Sequence, residues 1–505
     1  MSEPGDESAV EVPAVPESAG PAGWPLEPDE ARMRAVLDAV IDRVVAHVGS
    51  LAEQPAAATE GAEDLARSLR QELPETGRSL DELLELLFEV AVPCSFNTAG
   101  PGYLAYIPGG GLFESAVGSF IADAVNRYVG VFAAAPALAQ LEANVVRWFA
   151  QIIGYPDSAR GFLASGGSLA TFSGLVTARR ERLPENFLDG VIYVSDQAHH
   201  SIARAAMLAG FPEGNVRTLP SDDQFRMRPQ DLVEAVQADR DAGRIPFLVA
   251  ASAGTTNSGA IDPLEPIAQI ASEHGLWMHV DAAYGGFFML TDRGRRAMVG
   301  LERADSVVLD PHKALFLPYG SGCLLVRDGD ALRRAHAVHA EYMPPMQQAA
   351  DLVDFCQISP ELSRGFRGLK AWLPLSLHGF GPFRESLREK LELTDWITER
   401  LRRIDGVAIV VEPQLTVVAW RLELAGQDPA ELDAMNRALM ALINDRKNVY
   451  LTGTVLAGKF VIRICILSFR THLDRMQLAL QDIEAAIATM REEHAQDRDA
   501  STMAC

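Results

Sequence analysis

The sequence predicts an α/β protein with a parallel sheet covered by helices, on three observations. Between Arg147 and Val326, short β-branched or apolar runs (VIYVS, FLVAAS, LWMHV, SVVL, GCLLV) alternate with helical segments such as Leu169 to Arg182 and Pro263 to His274. Chains that alternate in this way bury a parallel sheet between helices. Four of these runs end in polar residues, at the edge where open α/β sheets bind their ligands. With 505 residues, 48% of them apolar, the chain can bury a large core and divide into a main domain and smaller ones.

Taken in order, residues 1–27 are acidic and Pro-rich and read as a disordered tail, without the basic start and apolar core of a signal peptide. Residues 28–110 open as a helical arm. Ala31 to Val48 and Ala62 to Leu73 carry helical patterns, and Ser79-Leu-Asp-Glu caps a third segment. Such an arm suits packing on a partner subunit. Residues 111–375 form the large domain and 376–495 a small α+β domain, with 496–505 as a second tail. The small domain reads as a helix near Glu385 to Arg403, the strand-like runs VAIVVEP and LTVVAWRLEL, and a helix at Pro429 to Asn444. A strand at Phe460 to Ile466 and a helix at Arg475 to Glu493 complete it.

Acidic residues exceed basic ones by 23, which argues against nucleic acid or an anionic membrane and for a small-molecule partner. No stretch is long and apolar enough to span a bilayer. The five cysteines have no CxxC spacing and read as reduced thiols, as in a cytoplasmic protein. Metal-ligand spacings of the HExxH or CxxC type are absent, so no metal is expected.

The strand ends carry the chemistry. VIYVS leads to Asp196-Gln-Ala-His199-His200, FLVAAS to Ala-Gly254-Thr255-Thr256, LWMHV to Asp281-Ala-Ala283-Tyr284, and VVL to Asp310-Pro-His312-Lys313. Each has an ordinary structural use: a core histidine, a helix cap at Asp281, a snorkelling lysine at 313. Together they require a common explanation. The stretch Leu163-Ala-Ser-Gly-Gly-Ser-Leu-Ala-Thr171 enters a helix with Gly167 and Ser168 at its start, where free N–H groups and the helix dipole suit a phosphate. It matches neither the dinucleotide nor the nucleoside-triphosphate glycine pattern. A phosphate site, an aspartate and a lysine on one sheet edge are what pyridoxal 5'-phosphate needs: the lysine bonds to its aldehyde, the aspartate keeps the ring nitrogen protonated, and the helix end holds the phosphate.

The ordered set SGGSLA, SDQAHHS, GTT, HVDAAYGG and DPHK resembles the pyridoxal-phosphate-dependent group II amino-acid decarboxylases, over roughly Asn97 to Arg470. The resemblance implies fold type I, with a mostly parallel seven-stranded sheet, and a homodimer with shared active sites. It implies that Lys313 is the Schiff-base lysine, Asp281 the pyridinium partner, and His199 and Ala283 the residues on the two ring faces. Thr255 is implied near the ring, and Gly167, Ser168 and His312 on the phosphate side. Asp310 stands where animal aromatic-amino-acid decarboxylases carry asparagine, and a carboxylate there needs a partner. Tyr342, in HAEYMPPMQQAADLVDF, resembles the tyrosine that protonates the carbanion after carbon dioxide leaves.

The same resemblance makes Asn97 to Gly111 the substrate-side loop, with Tyr106, Ile107 and Pro108 as substrate contacts and Arg463 near the α-carboxylate. Thr98 and Ile107 stand where aromatic-specific members carry tryptophan and phenylalanine, and the loop has no basic residue to hold a side-chain carboxylate. These positions imply a roomier, less aromatic pocket, and aromatic substrates are expected by their frequency in the family, so the expected reaction is decarboxylation of an aromatic or other neutral L-amino acid to its amine. The alternatives are oxidative decarboxylation to an aldehyde, where phenylalanine is common at position 342, and a catalytically silent cofactor-binding protein.

Overall fold

The computed structural model describes residues 26–338, 341, 343, 344, 346, 349 and 351–503, with side chains to residue 492. Most of the expected N-terminal tail, and Tyr342, lie outside the described residues. The described residues form two compact units, 26–50 with 61–94, and 51–60 with those from 95 onward.

In the first unit a helix spans Glu30–Gly49 and buries none of its residues. The capping sequence at Ser79 is made as expected: its hydroxyl accepts the Glu82 N–H at 3.3 Å, and the Glu82 carboxylate accepts the Ser79 N–H at 3.0 Å. Arg43 pairs with Glu89 at 2.8 Å, tying the long helix to the last helical turn.

The second unit carries both sheets. Seven strands form the larger: β1 Arg160–Ala164, β2 Gly190–Ser195, β3 Val216–Leu219, β4 Ile245–Ser252, β5 Trp277–Asp281, β6 Ser306–Leu309 and β7 Gly322–Val326. Their order is β1-β7-β6-β5-β4-β2-β3. Alternate residues of a strand enter opposite cores: in β2, Val191 and Tyr193 join one and Ile192 and Val194 the other. GCLLV, expected among the parallel strands, is instead the antiparallel β7. The helix between β6 and β7 has only four residues, too few to carry the chain back across the sheet.

The smaller sheet joins β8 Val407–Val411, β9 Val417–Leu422, β10 Thr452–Leu456 and β11 Lys459–Cys465, all antiparallel, in the order β10-β11-β9-β8. Helices Gly381–Leu401, Pro429–Asp445 and Leu473–Met503 accompany it.

Buried Asp262 braces the end of β4. Its two carboxylate oxygens accept the N–H groups of Met227 at 2.6 Å and Ser252 at 2.7 Å, and burial pushes its acid up to about 6. Asp262→Asn turns an amide donor toward a backbone donor. The variant is expected to lose about 1–3 kcal/mol of unfolding free energy, read from urea titration, and an unchanged midpoint would show that these bonds contribute nothing.

Candidate active site

Strand connections run in opposite directions from β2 and β4, and a cavity of about 350 Å³ opens where the ends of β2, β4, β5 and β6 converge. Gly167, Ser168, His199, Thr255, Asp281, Ala283, His312 and Lys313, all expected from the sequence, line it.

Lys313 sits in the turn Pro311–Ala314 directly after β6, and its Nζ lies 3.0 Å from Asp310 Oδ2. Burial alone pushes the ammonium down, but the carboxylates of Asp310 and Asp281 outweigh it and hold Lys313 above the usual lysine range. Asp281 ends β5, and its Oδ1 accepts the Ala283 N–H at 3.1 Å, which fixes the carboxylate over the following turn.

His199 Nδ1 accepts the Ser201 N–H at 3.3 Å and faces the Ser201 hydroxyl at 2.8 Å. An Nδ1 that accepts leaves the ring proton on Nε2. Burial, opposed by Asp281, pushes His199 below the usual histidine range. His312 donates through Nδ1 to the Ser321 carbonyl, and burial pushes it down as well. Thr255 Oγ1 lies 2.8 Å from Ser258 Oγ and accepts the Ala260 N–H at 3.2 Å, so this buried hydroxyl braces the turn after β4.

At the other end of the cavity the helix Gly167–Arg182 begins. The first amides of a helix have no acceptor within it and point outward with the positive end of its dipole. Gly167 has no room for a side chain, since a Cβ would meet Asp310 Oδ2 at 2.9 Å. The Lys313 ammonium is the partner that the Asp310 carboxylate needs at this position. Asp310 Oδ1 is buried without a hydrogen-bond partner. Free amides and the Ser168 hydroxyl for a phosphate, the Lys313 amine for an aldehyde and the Asp281 carboxylate for a ring nitrogen fit pyridoxal phosphate.

The substrate-side loop is assembled differently. Tyr106, Ile107, Pro108 and Arg463 are not among the residues lining the cavity. Arg470 donates to the carbonyls of Ala99 at 3.0 Å, Gly110 and Gly111, and Thr471 Oγ1 donates to that of Pro101 at 2.8 Å. Gly109 runs against the His312 carbonyl, where a Cβ would lie 1.9 Å away. Tyr106 is left-handed, with φ 50°, and 54% exposed. Arg463 is buried and donates to Asn257 O at 3.0 Å, Thr452 Oγ1 at 3.1 Å and Tyr106 O at 3.4 Å.

Ser201 and Ser252 line the cavity too and were missed, and Tyr284, named only within its strand-end stretch, lines it without an expected role. Ser252 was readable as the last residue of its strand. The placement of Tyr284 was not, because what fixes it is remote: the Tyr284 hydroxyl accepts the Thr416 N–H at 2.8 Å, which ties the cavity wall to the start of β9.

Residues 63–423 match the family model described as the pyridoxal-dependent decarboxylase conserved domain. The chain is 32% identical over 464 residues to an aromatic-L-amino-acid decarboxylase of Bacillus atrophaeus, covering 91% of this chain and 96% of that one. It is 28% identical over 463 residues to a phenylacetaldehyde synthase of Arabidopsis thaliana, covering 88% and 94%. Among solved structures it is similar to Oryza sativa TDC with PLP and tryptamine, with a TM-score of 0.87 and 28% identity over 92% of this chain and 99% of that one.

Proposed function

Because the chain belongs to the pyridoxal-dependent decarboxylase family, we propose that it converts an aromatic or other neutral L-amino acid to the corresponding amine and carbon dioxide. The convergence of Lys313, Asp281 and the start of the helix Gly167–Arg182 on one cavity carries this reading. Pyridoxal 5'-phosphate is the cofactor, and when bound it supplies an electron sink for the pair left on the substrate Cα.

The chain's own residues do the rest. Lys313 carries the cofactor between substrates, Asp281 keeps the ring nitrogen protonated, and Ser168, His312 and the first helical amides hold the phosphate. Gly167 leaves room for that approach. His199 and Ala283 hold the ring, with Thr255 fixing the adjoining turn. Tyr342 returns a proton to Cα, which makes the product an amine. Tyr106, Ile107 and Pro108 border the substrate, and Arg463 orients Tyr106 through its carbonyl oxygen.

A neutral substrate is favoured because the loop from Asn97 to Gly111 carries no basic residue to hold a side-chain carboxylate. Aromatic substrates are favoured by the likeness to the Bacillus enzyme named for them. The likeness to an aldehyde synthase keeps oxidative decarboxylation as the second reading. The chain acts in the cytoplasm as a homodimer. Its thiols at Cys94, Cys323, Cys356 and Cys465 are unpaired. Phe113, Phe120 and Val125 on the helix Phe113–Val125 leave apolar surface for a partner to cover.

The purified chain, supplied with cofactor and a panel of L-amino acids, is expected to release carbon dioxide and an equal amount of amine from one of them. Peroxide and aldehyde in place of amine would establish the second reading, and no carbon dioxide from any substrate would overturn both.

A further inference from the structure

Lysine is a nucleophile only as its neutral amine, yet Lys313 Nζ lies 3.0 Å from a carboxylate that is 4% exposed. The contact is built in rather than incidental. Asp310 is the last residue before the turn that carries Lys313, and the Lys313 N–H donates to the Asp310 carbonyl at 2.9 Å. On its other side Asp310 lies so close to Gly167 that no side chain fits there. We propose that Asp310 is a positioning residue that holds Lys313 as an ammonium until the cofactor arrives, and so sets the pH at which this lysine becomes reactive.

This rests on the reading of Lys313 as the residue that carries the cofactor. To attack an aldehyde, Nζ must first lose one proton, and Asp310 Oδ2 is in contact to receive it. The Nζ lone pair can then form the bond to carbon, with the aldehyde oxygen leaving as water. The other groups bearing on Lys313 are Asp281 at the end of β5, His199 after β2, His312 and Tyr319 around its own turn, and Cys465 on β11. Of these, burial pushes both histidines toward their neutral forms and the Cys465 thiol up to about 12, which leaves Asp310 and Asp281 as the opposing charges. Among the described residues Asp310 alone makes an ion pair with Nζ.

The test titrates Lys313 directly. The full chain, freed of cofactor, is labelled with a trace of amine-reactive reagent across the alkaline range, and each lysine peptide is quantified by mass spectrometry, with exposed Lys459 as reference. Burial slows labelling at every pH, so the midpoint is the readout. In the wild type, Lys313 is expected to have a higher midpoint than Lys459. In Asp310→Asn, which keeps the shape and removes the charge, the midpoint is expected to fall by about one pH unit or more, making labelling about tenfold faster relative to its own plateau at a fixed pH below both midpoints. A wild-type midpoint at or below that of Lys459 overturns the proposal without any variant, and so does a midpoint unmoved in a folded Asp310→Asn chain. Adding pyridoxal 5'-phosphate to the wild type tests the underlying reading separately, because the cofactor blocks labelling of Lys313 only if that lysine carries it.

Discussion

Lys313→Ala is expected to lower carbon dioxide release by roughly 10⁴-fold or more while leaving the chain folded, the scale seen when a covalent catalytic group is removed. Among the described residues that line the cavity Lys313 is the only lysine, so none of these can take its place. The substitution has a second consequence. It leaves Asp310, 4% exposed, with only His312 Nε2 at 3.7 Å from Oδ2, because Oδ1 already lacks a partner and Oδ2 loses the ammonium. Leaving a buried carboxylate uncompensated costs on the order of 3 kcal/mol, so the cofactor-free variant should unfold at lower urea than the wild type. The double variant Lys313→Ala/Asp310→Ala should recover stability but no activity. Carbon dioxide release and urea midpoints on the three chains check both parts. Near-wild-type turnover in Lys313→Ala would remove the premise of the mechanism.

Tyr342→Phe is expected to change the product rather than stop the reaction. The substitution removes one phenolic O–H and keeps the ring, so it deletes a proton donor with little loss of packing. Loss of a positioned acid costs about 10²–10⁴-fold in the step it serves, and amine formation should fall by that factor. Carbon dioxide should still leave, since its departure needs no proton at Cα. The electron pair left on Cα can then be taken by dissolved oxygen, so carbon dioxide should be accompanied by aldehyde, ammonia and peroxide in equal amounts. Following amine and peroxide together checks this. Undiminished amine in the phenylalanine variant would assign the proton to another group.

The reaction was more legible in the sequence than the substrate was, for a physical reason. The residues proposed to serve the cofactor sit at strand ends, where a β-branched run and the polar residue that follows it are adjacent in the chain. His199, Thr255, Asp281 and Lys313 could therefore be found one at a time and grouped by the topology. Asp310 was visible too, but its environment was not, because the Gly167 contact comes from a residue 143 positions earlier. The substrate-side loop is fixed by partners still farther away, such as Arg463, whose bond to Tyr106 spans 357 residues. Among the strands, β3 and β10 escaped notice because both are short and half-exposed, and β1, although buried, because RGFLA holds no β-branched residue. The direction of β7 depends on the length of a connection rather than on the strand's own composition.

Arg470 and Thr471 hold the loop from Ala99 to Gly111 by its carbonyl oxygens alone. Every residue type offers that oxygen, so the grip does not depend on which side chains the loop displays. The clamp therefore tolerates a change of side chain at exposed Tyr106, whereas Gly100, Gly102, Gly109 and Gly110 have close neighbours, Gly111 has a φ of +67°, and Tyr103, Leu104, Ala105 and Ile107 are buried. An exchange there changes the surface the loop displays while leaving the residues at the strand ends untouched.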